Sequence, residues 1–310
     1  MNPSVSVVVP VRNRQDLIVR CLDSIWNQTV KPFELIVVDN DSSDNTYKAV
    51  EEWIQAHSGS HVRMKLLKEK KRGAYAARQT GLEIAEGEYV SFFDSDDEMK
   101  PNLVEQAWKA VITNSKPDIV CWQCVINMLD GSKRIPSYIP DRPLESHLIH
   151  TMLRPQGYMV KKDFISLAGG WKKPLEVWDD MELGLRLLLR EPSIVALKDV
   201  LAEIYAQENS ITGTDFSSKE GKWEITLDEM FSMTEKSNHP SKARIKNILD
   251  YRRSILAASY SREGNDIAAA KLMDKALGGK DFIKKQLLRF SFNYTKHGMR
   301  GAWRIVGKAF

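Results

Sequence analysis

The feature that most constrains this chain is an alternation. Residues 5–10 form a nearly unbroken β-branched run, and residues 35–38, 62–67 and 89–93 repeat the pattern. Continuous apolar runs of this length suit strands covered on both faces, the condition of a parallel sheet with a helix layer on each side. The intervals carry helical spacing: Leu17, Cys21, Leu22 and Ile25, then residues 46–56, then residues 74–85, which stop just before Gly87. Strand and helix therefore alternate through about residue 115, which predicts an α/β fold with a Rossmann-like, mostly parallel sheet flanked by helices. Ligands of such open sheets bind beyond the carboxyl ends of the strands. That rule singles out residues 10–14, 39–45 and 94–97.

Beyond residue 118 the pattern is mixed, with short strands, a proline-rich stretch (Pro136, Pro140, Pro143, Pro155) and a helix starting near Asp179. Past Thr212 it turns strongly helical, with heptad-like apolar positions in 223–233, 245–260, 267–277 and 282–292. The expected organisation is one domain over 1–215, in halves 1–115 and 116–215, followed by a helical C-terminal region over 216–310. A hydrophobic content of 43% with 28% charge excludes disordered, collagen-like and coiled-coil chains. No run reaches the length of a membrane span, and the first apolar stretch lacks a basic leader, so a cytoplasmic protein is expected. Three cysteines cannot build a disulfide framework. Cys121 and Cys124 have redox-motif spacing but sit in a strand-like stretch, and the reading is two packed thiols.

The third strand end reads Phe92-Phe93-Asp94-Ser95-Asp96-Asp97. In extended chain, residues i and i+2 share a face about 7 Å apart, so Asp94 and Asp96 can aim at one locus, a geometry suited to a hard divalent cation with phosphate oxygens as its other ligands. The competing reading is that Asp96 or Asp97 caps a helix beginning near Pro101. Asp39 likewise ends an apolar strand and is read as functional, whereas Asp44 is read as a turn residue capping the helix from Thr46. Phosphate-cradling GxGxxG and GxxxxGK[ST] loops, HExxH and GxSxG are all absent, which argues against dehydrogenase, NTPase, zincin and hydrolase readings.

Four pieces then follow in order: 5–13, 36–46, Gly73 with 76–81, and 87–97. Together they resemble the family 2 glycosyltransferases of the GT-A fold. The resemblance implies a nucleotide-sugar donor, UDP-linked by expectation, lying across these strand ends. Pro10, Val11 and Arg12 would border the base, Asp39 would accept from a base N–H, and Arg78 would approach base or diphosphate. Asp94, with Ser95 beside it, would hold the ribose, and Asp96 the metal, manganese or magnesium. Arg12 departs from the aromatic usual in the family; its guanidinium plane could stack on a base. In the second half, Gly169-Gly170-Trp171 and Trp178-Asp179-Asp180 are similar to the family's glycine-glycine-aromatic and acidic-pair segments. There Asp180 would deprotonate the acceptor hydroxyl, with Asp179, Trp178 and Trp171 around the acceptor. The plainer reading makes Asp179 and Asp180 helix-capping acids, with Glu182 pairing to Arg186. Gln207 stands where many relatives carry a metal-contacting histidine.

The implied reaction is an inverting, metal-dependent sugar transfer to a glycan or lipid-linked acceptor hydroxyl, in surface polysaccharide synthesis, with no nucleic-acid partner. The alternatives are a sugar-phosphate nucleotidyltransferase and a non-catalytic sugar- or membrane-binding subunit. One further feature stands apart. Residues 280–310 hold eight lysines and arginines against Asp281 alone, so the overall charge of +4 leaves residues 1–279 net acidic. Interleaved with Phe282, Ile283, Phe290 and Trp303, these cations suit either an interfacial helix on an anionic membrane surface or a helix packed on its own domain with a solvated basic face.

Overall fold

The computed structural model describes residues 4–32, 34–59, 62–136, 139, 141–171, 174–207 and 215–310. In chain order the elements are β1 (Val5–Val11), α1 (Ile18–Trp26), β2 (Glu34–Asp39), α2 (Thr46–Ala56), β3 (Arg63–Lys68), α3 (Ala74–Ile84), β4 (Tyr89–Phe92), β5 (Glu98–Met99), α4 (Leu103–Thr113), β6 (Ile119–Asn127) and β7 (Lys133–Arg134). There follow α5 (Pro143–His150), β8 (Tyr158–Lys161), α6 (Lys162–Leu167), α7 (Asp179–Leu188), β9 (Ile194–Tyr205), α8 (Lys222–Lys236), α9 (Lys242–Arg262), α10 (Asp266–Leu277), α11 (Phe282–Lys296) and α12 (Trp303–Val306). Among the described residues no helix is long and apolar enough to cross a membrane.

The chain divides into two compact units that interleave in sequence. The first comprises Met1–Pro140, Met152–Pro174 and Arg190–Glu208; the second comprises Asp141–Thr151, Leu175–Leu189 and Asn209–Phe310. Two stretches of the 116–215 region, one holding α5 and one α7, thus cluster with the C-terminal helices.

All strands belong to the first unit, in one sheet ordered β3-β2-β1-β4-β8-β6-β9-β5, with β7 added to β6. The β1–β2, β2–β3 and β1–β4 pairs are parallel, as the βαβ alternation predicts. The second half is mixed: β8 runs antiparallel to both β4 and β6, whereas β6 and β9 are parallel. Every residue of β1 and β2 is buried. Val5, Val7, Val9 and Val11 pack with Ile18, Cys21, Leu22 and Ile25 of α1, while Val8 faces α3. There Gly81 lets helix and strand meet, since a Cβ on it would lie 2.3 Å from Val8 Cγ1. The expected strand at 62–67 forms one residue later and is only half-buried because it is the sheet edge; its charges Arg63, Lys65 and Lys68 guard that edge. Cys121 and Cys124 are both buried and free, as the packed-thiol reading expects.

The second unit is helical. Leu148 of α5 and Met181 and Leu185 of α7 join Trp223, Leu227 and Ile248 in its core. Helices α9 and α10 form a hairpin that turns at Gly264 and Asn265, whose side chain caps α10 by accepting from Ala268 N at 3.2 Å.

Candidate functional site

The parallel register of β1 and β2 sets Pro10 beside Val38 and Val11 beside Asp39. Asp39, 2% exposed, accepts from Ser42 N at 3.2 Å through Oδ2, whereas its buried Oδ1 has no hydrogen-bond partner. Such an orphaned acceptor costs on the order of 1–3 kcal/mol, which an incoming N–H donor would recover. Arg12 follows as an exposed side chain. Asn13, with φ of 50°, turns the loop so that its Oδ1 accepts from Ser43 N at 2.9 Å. Asp44 closes an Asx turn on Thr46 N at 3.0 Å, the structural role its position predicts.

At the end of β4 four polar residues fall in a row. Asp94 has both oxygens engaged: Oδ1 accepts from Arg78 at 2.7 Å and Oδ2 from Gln156 Nε2 at 2.6 Å. Asp97 is likewise committed, Oδ1 to Tyr205 N at 2.9 Å and Oδ2 to the same Gln156 nitrogen at 2.5 Å. Neither Asp96 nor Asp97 caps the following helix, which begins at Leu103 rather than near Pro101. Asp96 is the loosely held member, paired with Arg14 at 3.6 Å, while Arg20 fastens its backbone oxygen at 2.6 Å. Burial first, and the neighbouring Asp94 second, raise the Asp96 pKa above the ordinary carboxylate value; the same two causes push Asp97 well above it. Three crowded carboxyls thus create a demand for positive charge. Ser95 between them is buried.

Arg78, on α3, is 6% exposed and stacks its guanidinium 4.7 Å from the centre of the Trp171 ring. The positive φ of Gly170, 61°, turns the chain so that Trp171 N donates to Gln79 Oε1 at 2.8 Å. Trp171 is 2% exposed, packed edge-on against Phe92 at 5.1 Å. Its ring therefore supports Arg78 rather than lying open to a ligand. Gln207 donates to Tyr205 O at 3.4 Å, and residues 208–214 after it lie outside the described residues.

Pro10, Val11, Asp39, Arg78, Asp94, Ser95 and Asp96 therefore gather along neighbouring strand ends of the first unit. Gln156 is the residue that sequence reasoning missed. It sits in a short 3-10 turn, Pro155–Gly157, and its carbonyl accepts from Trp122 Nε1 at 2.7 Å. Arg14 and Arg20 were missed as well, since neither stands in a motif and both reach Asp96 across more than 70 residues of sequence.

The acidic pair lies in the second unit. Trp178, with φ of 53°, precedes α7, so Asp179 and Asp180 open the helix where its dipole favours negative charge. Asp180 Oδ1 accepts from Met181 N at 2.8 Å. Arg252 lies over the Trp178 ring at 4.5 Å and donates to Leu148 O at 2.9 Å. Desolvation lowers its pKa to about 10, against the opposing pull of Tyr251 and Asp180. Glu182 forms the expected two-bond pair with Arg186, at 3.1 and 2.8 Å.

A sequence profile described as Glycosyl transferase family 2 matches residues 6–167, more than half of the chain. The chain belongs to this family. The matched span of this family 2 chain holds Asp39, Arg78, Asp94 and Asp96, and also Gln156. It is 31% identical over 150 residues to the putative glycosyltransferase EpsH of Bacillus subtilis (strain 168), covering 47% of this chain and 42% of that protein. Over 112 residues it is 38% identical to the UDP-Glc:alpha-D-GlcNAc-diphosphoundecaprenol beta-1,3-glucosyltransferase WfgD of Escherichia coli, 36% of this chain and 42% of that one. The match thus spans less than half of these curated relatives. Among solved structures, residues 1–349 of S. aureus TarS superimpose with a TM-score of 0.66 at 16% identity, covering 99% of this chain and 92% of that one. That likeness establishes the GT-A fold expected from the sequence.

Proposed function

We propose that this family 2 chain transfers a sugar from a nucleoside-diphosphate donor to a hydroxyl of a glycan or lipid-linked acceptor, with inversion at the anomeric carbon. The observation that carries the reading is the buried, partnerless Oδ1 of Asp39 at the end of β2, on the other side of β1 from the crowded acidic cluster that follows β4. An imide-type N–H of a uracil base is the donor that this carboxylate lacks, which favours a UDP-sugar. The name of WfgD, with its UDP-glucose donor and diphosphoundecaprenol-linked acceptor, is in keeping with this chemistry.

The residues fit a divalent cation in one way. No group of three or more His, Cys, Asp or Glu among the described residues is placed to hold a metal, and Asp94 and Asp97 already accept hydrogen bonds at each oxygen. Asp96 alone offers a loosely held carboxylate, so a manganese or magnesium ion would rest on Asp96 and on donor phosphate oxygens, with Gln207 as a further oxygen ligand. Such an ion supplies positive charge to the departing diphosphate. The chain's own groups do the rest. Arg78, fixed by Asp94 and Trp171, presents a cation at the same strand ends, and Asp94 orients the ribose. Asp180, in the first turn of α7 where the helix dipole favours negative charge, takes the acceptor proton as the hydroxyl attacks the face opposite the leaving group.

Asp96→Ala and Asp180→Asn are each expected to abolish sugar transfer. The melting temperature should hold, or rise for Asp96→Ala, since that change relieves crowding with Asp94. Near-normal turnover by either variant would remove that residue's assignment. Release of a nucleoside diphosphate, rather than consumption of NTP with release of pyrophosphate, separates this reading from a nucleotidyltransferase.

A further inference from the structure

The basic C-terminal segment has two faces. On one face of α11, Leu288 and Ser291 are buried, and Trp303 and Val306 of α12 join the same core. Beside it, Ile283, Leu287, Phe290 and Tyr294 recur at i, i+4, i+7 and i+11; Leu287 and Tyr294 pack partly against that core, whereas Ile283 and Phe290 are left on the outer edge of the stripe. Ile283 is 67% exposed and Phe290 40%, with Phe282 at 74% beside them. Phe290 and Tyr294 extend the stripe as neighbouring rings 5.5 Å apart. Met299 and Ile305 are also exposed.

The charges around these side chains are largely uncompensated. Lys280 is tied to Asp250 at 2.6 Å, Lys284 to Asp281 at 3.5 Å and Lys296 to Asp266 at 4.0 Å. Lys285, Arg289, Arg300, Arg304 and Lys308 have no ion-pair partner among the described residues. Exposed aromatic and aliphatic side chains among unpaired cations form an arrangement that water alone does not favour. A nucleic acid or an acidic protein surface would answer the charge and leave Phe282 and Ile283 without a partner. An anionic bilayer answers both, with acyl chains for the apolar stripe and phosphate headgroups for the cations.

We propose that residues 282–308 form a docking face for an anionic lipid bilayer, on which Phe282, Ile283 and Phe290 insert at the headgroup boundary while Lys285, Arg289, Arg300, Arg304 and Lys308 meet lipid phosphates. The inference does not rest on the assigned reaction, and a chain inactive in sugar transfer would still bind. It also joins both expectations for this segment, since one face packs on the protein and the other is left for the membrane.

The test is sedimentation of the full chain with vesicles of phosphatidylglycerol and phosphatidylcholine, against phosphatidylcholine alone. Binding is expected only with the anionic lipid and should weaken with salt. The triple variant Lys285→Gln/Arg289→Gln/Arg304→Gln should lose about fivefold in partitioning per charge removed. Phe282→Ser/Ile283→Ser, both at exposed positions, should lose about tenfold or more with an unchanged melting temperature. No binding, equal binding to neutral vesicles, or full binding by the serine variant would each overturn the proposal. Binding to a soluble polyanion such as heparin that matches vesicle binding in both variants would also overturn it, since that is charge adsorption without insertion.

Discussion

At the scale of single residues, the site is organised by which carboxylate oxygens are satisfied. Asp39 keeps one buried oxygen unpaired, Asp94 and Asp97 keep none, and Asp96 is held only at 3.6 Å. Asp39→Ala should weaken nucleoside diphosphate binding by about 10- to 100-fold, the scale of a hydrogen bond to a charged group. The melting temperature should hardly move, because losing the Ser42 bond is offset by removing an unsatisfied buried oxygen; calorimetric titration and a thermal melt read the two effects. Gln156 makes the opposite prediction. One amide nitrogen holds two acids, so Gln156→Ala leaves both short of a donor, should cost about 1–3 kcal/mol of stability and should raise the donor KM more than it lowers kcat. An unchanged melting temperature would show that the bridge bears no strain. The contrast also explains what could be read from sequence. Asp39, Asp94 and Asp96 are legible because each ends an apolar strand, and strand ends are where such sheets bind ligands. Gln156 lies in a Pro-Gln-Gly turn without periodicity and meets its partners across 62 and 59 residues, a pairing that only the tertiary fold creates.

At the scale of elements, the βαβ half follows its hydrophobic pattern because buried parallel strands read as unbroken runs, and α2 begins and ends where its spacing predicts. The stretch 136–155 is less readable. Its prolines suggest loops, yet Pro143 opens α5, a position where its missing N–H costs nothing. That short helix matters to the second unit. Its Glu145, 8% exposed, accepts from Arg244 of α9 at 2.6 Å and from Trp303 Nε1 of α12 at 2.8 Å. Burial alone would raise the Glu145 pKa, but the Arg244 and Trp303 hydrogen bonds outweigh it and hold the pKa below the ordinary value. A carboxyl with a depressed folded-state pKa contributes stability that is present above the unfolded value of about 4.3 and lost as pH falls through the folded one. Glu145→Gln should therefore cost about 1–3 kcal/mol at pH 7, and the gap to the parent should close below about pH 4. Urea unfolding across that range measures it, and a gap independent of pH would show that shape rather than charge makes the contribution.

At the scale of the whole molecule, the charge surplus and the packing of residues 280–310 belong to one design problem. These residues carry the basic excess of the chain, yet Leu288, Ala302, Trp303 and Val306 are core residues of the second unit. Trp303 also stacks on Phe310 at 5.9 Å, meets Tyr251 at 4.9 Å and donates to Glu145. Sequence pattern alone could not assign the two faces, since the same apolar residues serve core and stripe and only the burial of Leu288 against the exposure of Ile283 separates them. Truncating at residue 279 would therefore remove a membrane face and part of a core together. Loss of a buried tryptophan alone costs about 3–5 kcal/mol, a large share of the 5–15 kcal/mol that holds an ordinary domain. A chain ending at residue 279 should melt well below the full-length protein in calorimetry and expose its helical unit to limited proteolysis, whereas Phe282→Ser/Ile283→Ser should match the parent in both. If the truncated chain instead melts within about 2 °C of the full one, α11 and α12 contribute no core, and their apolar residues are all available to a surface.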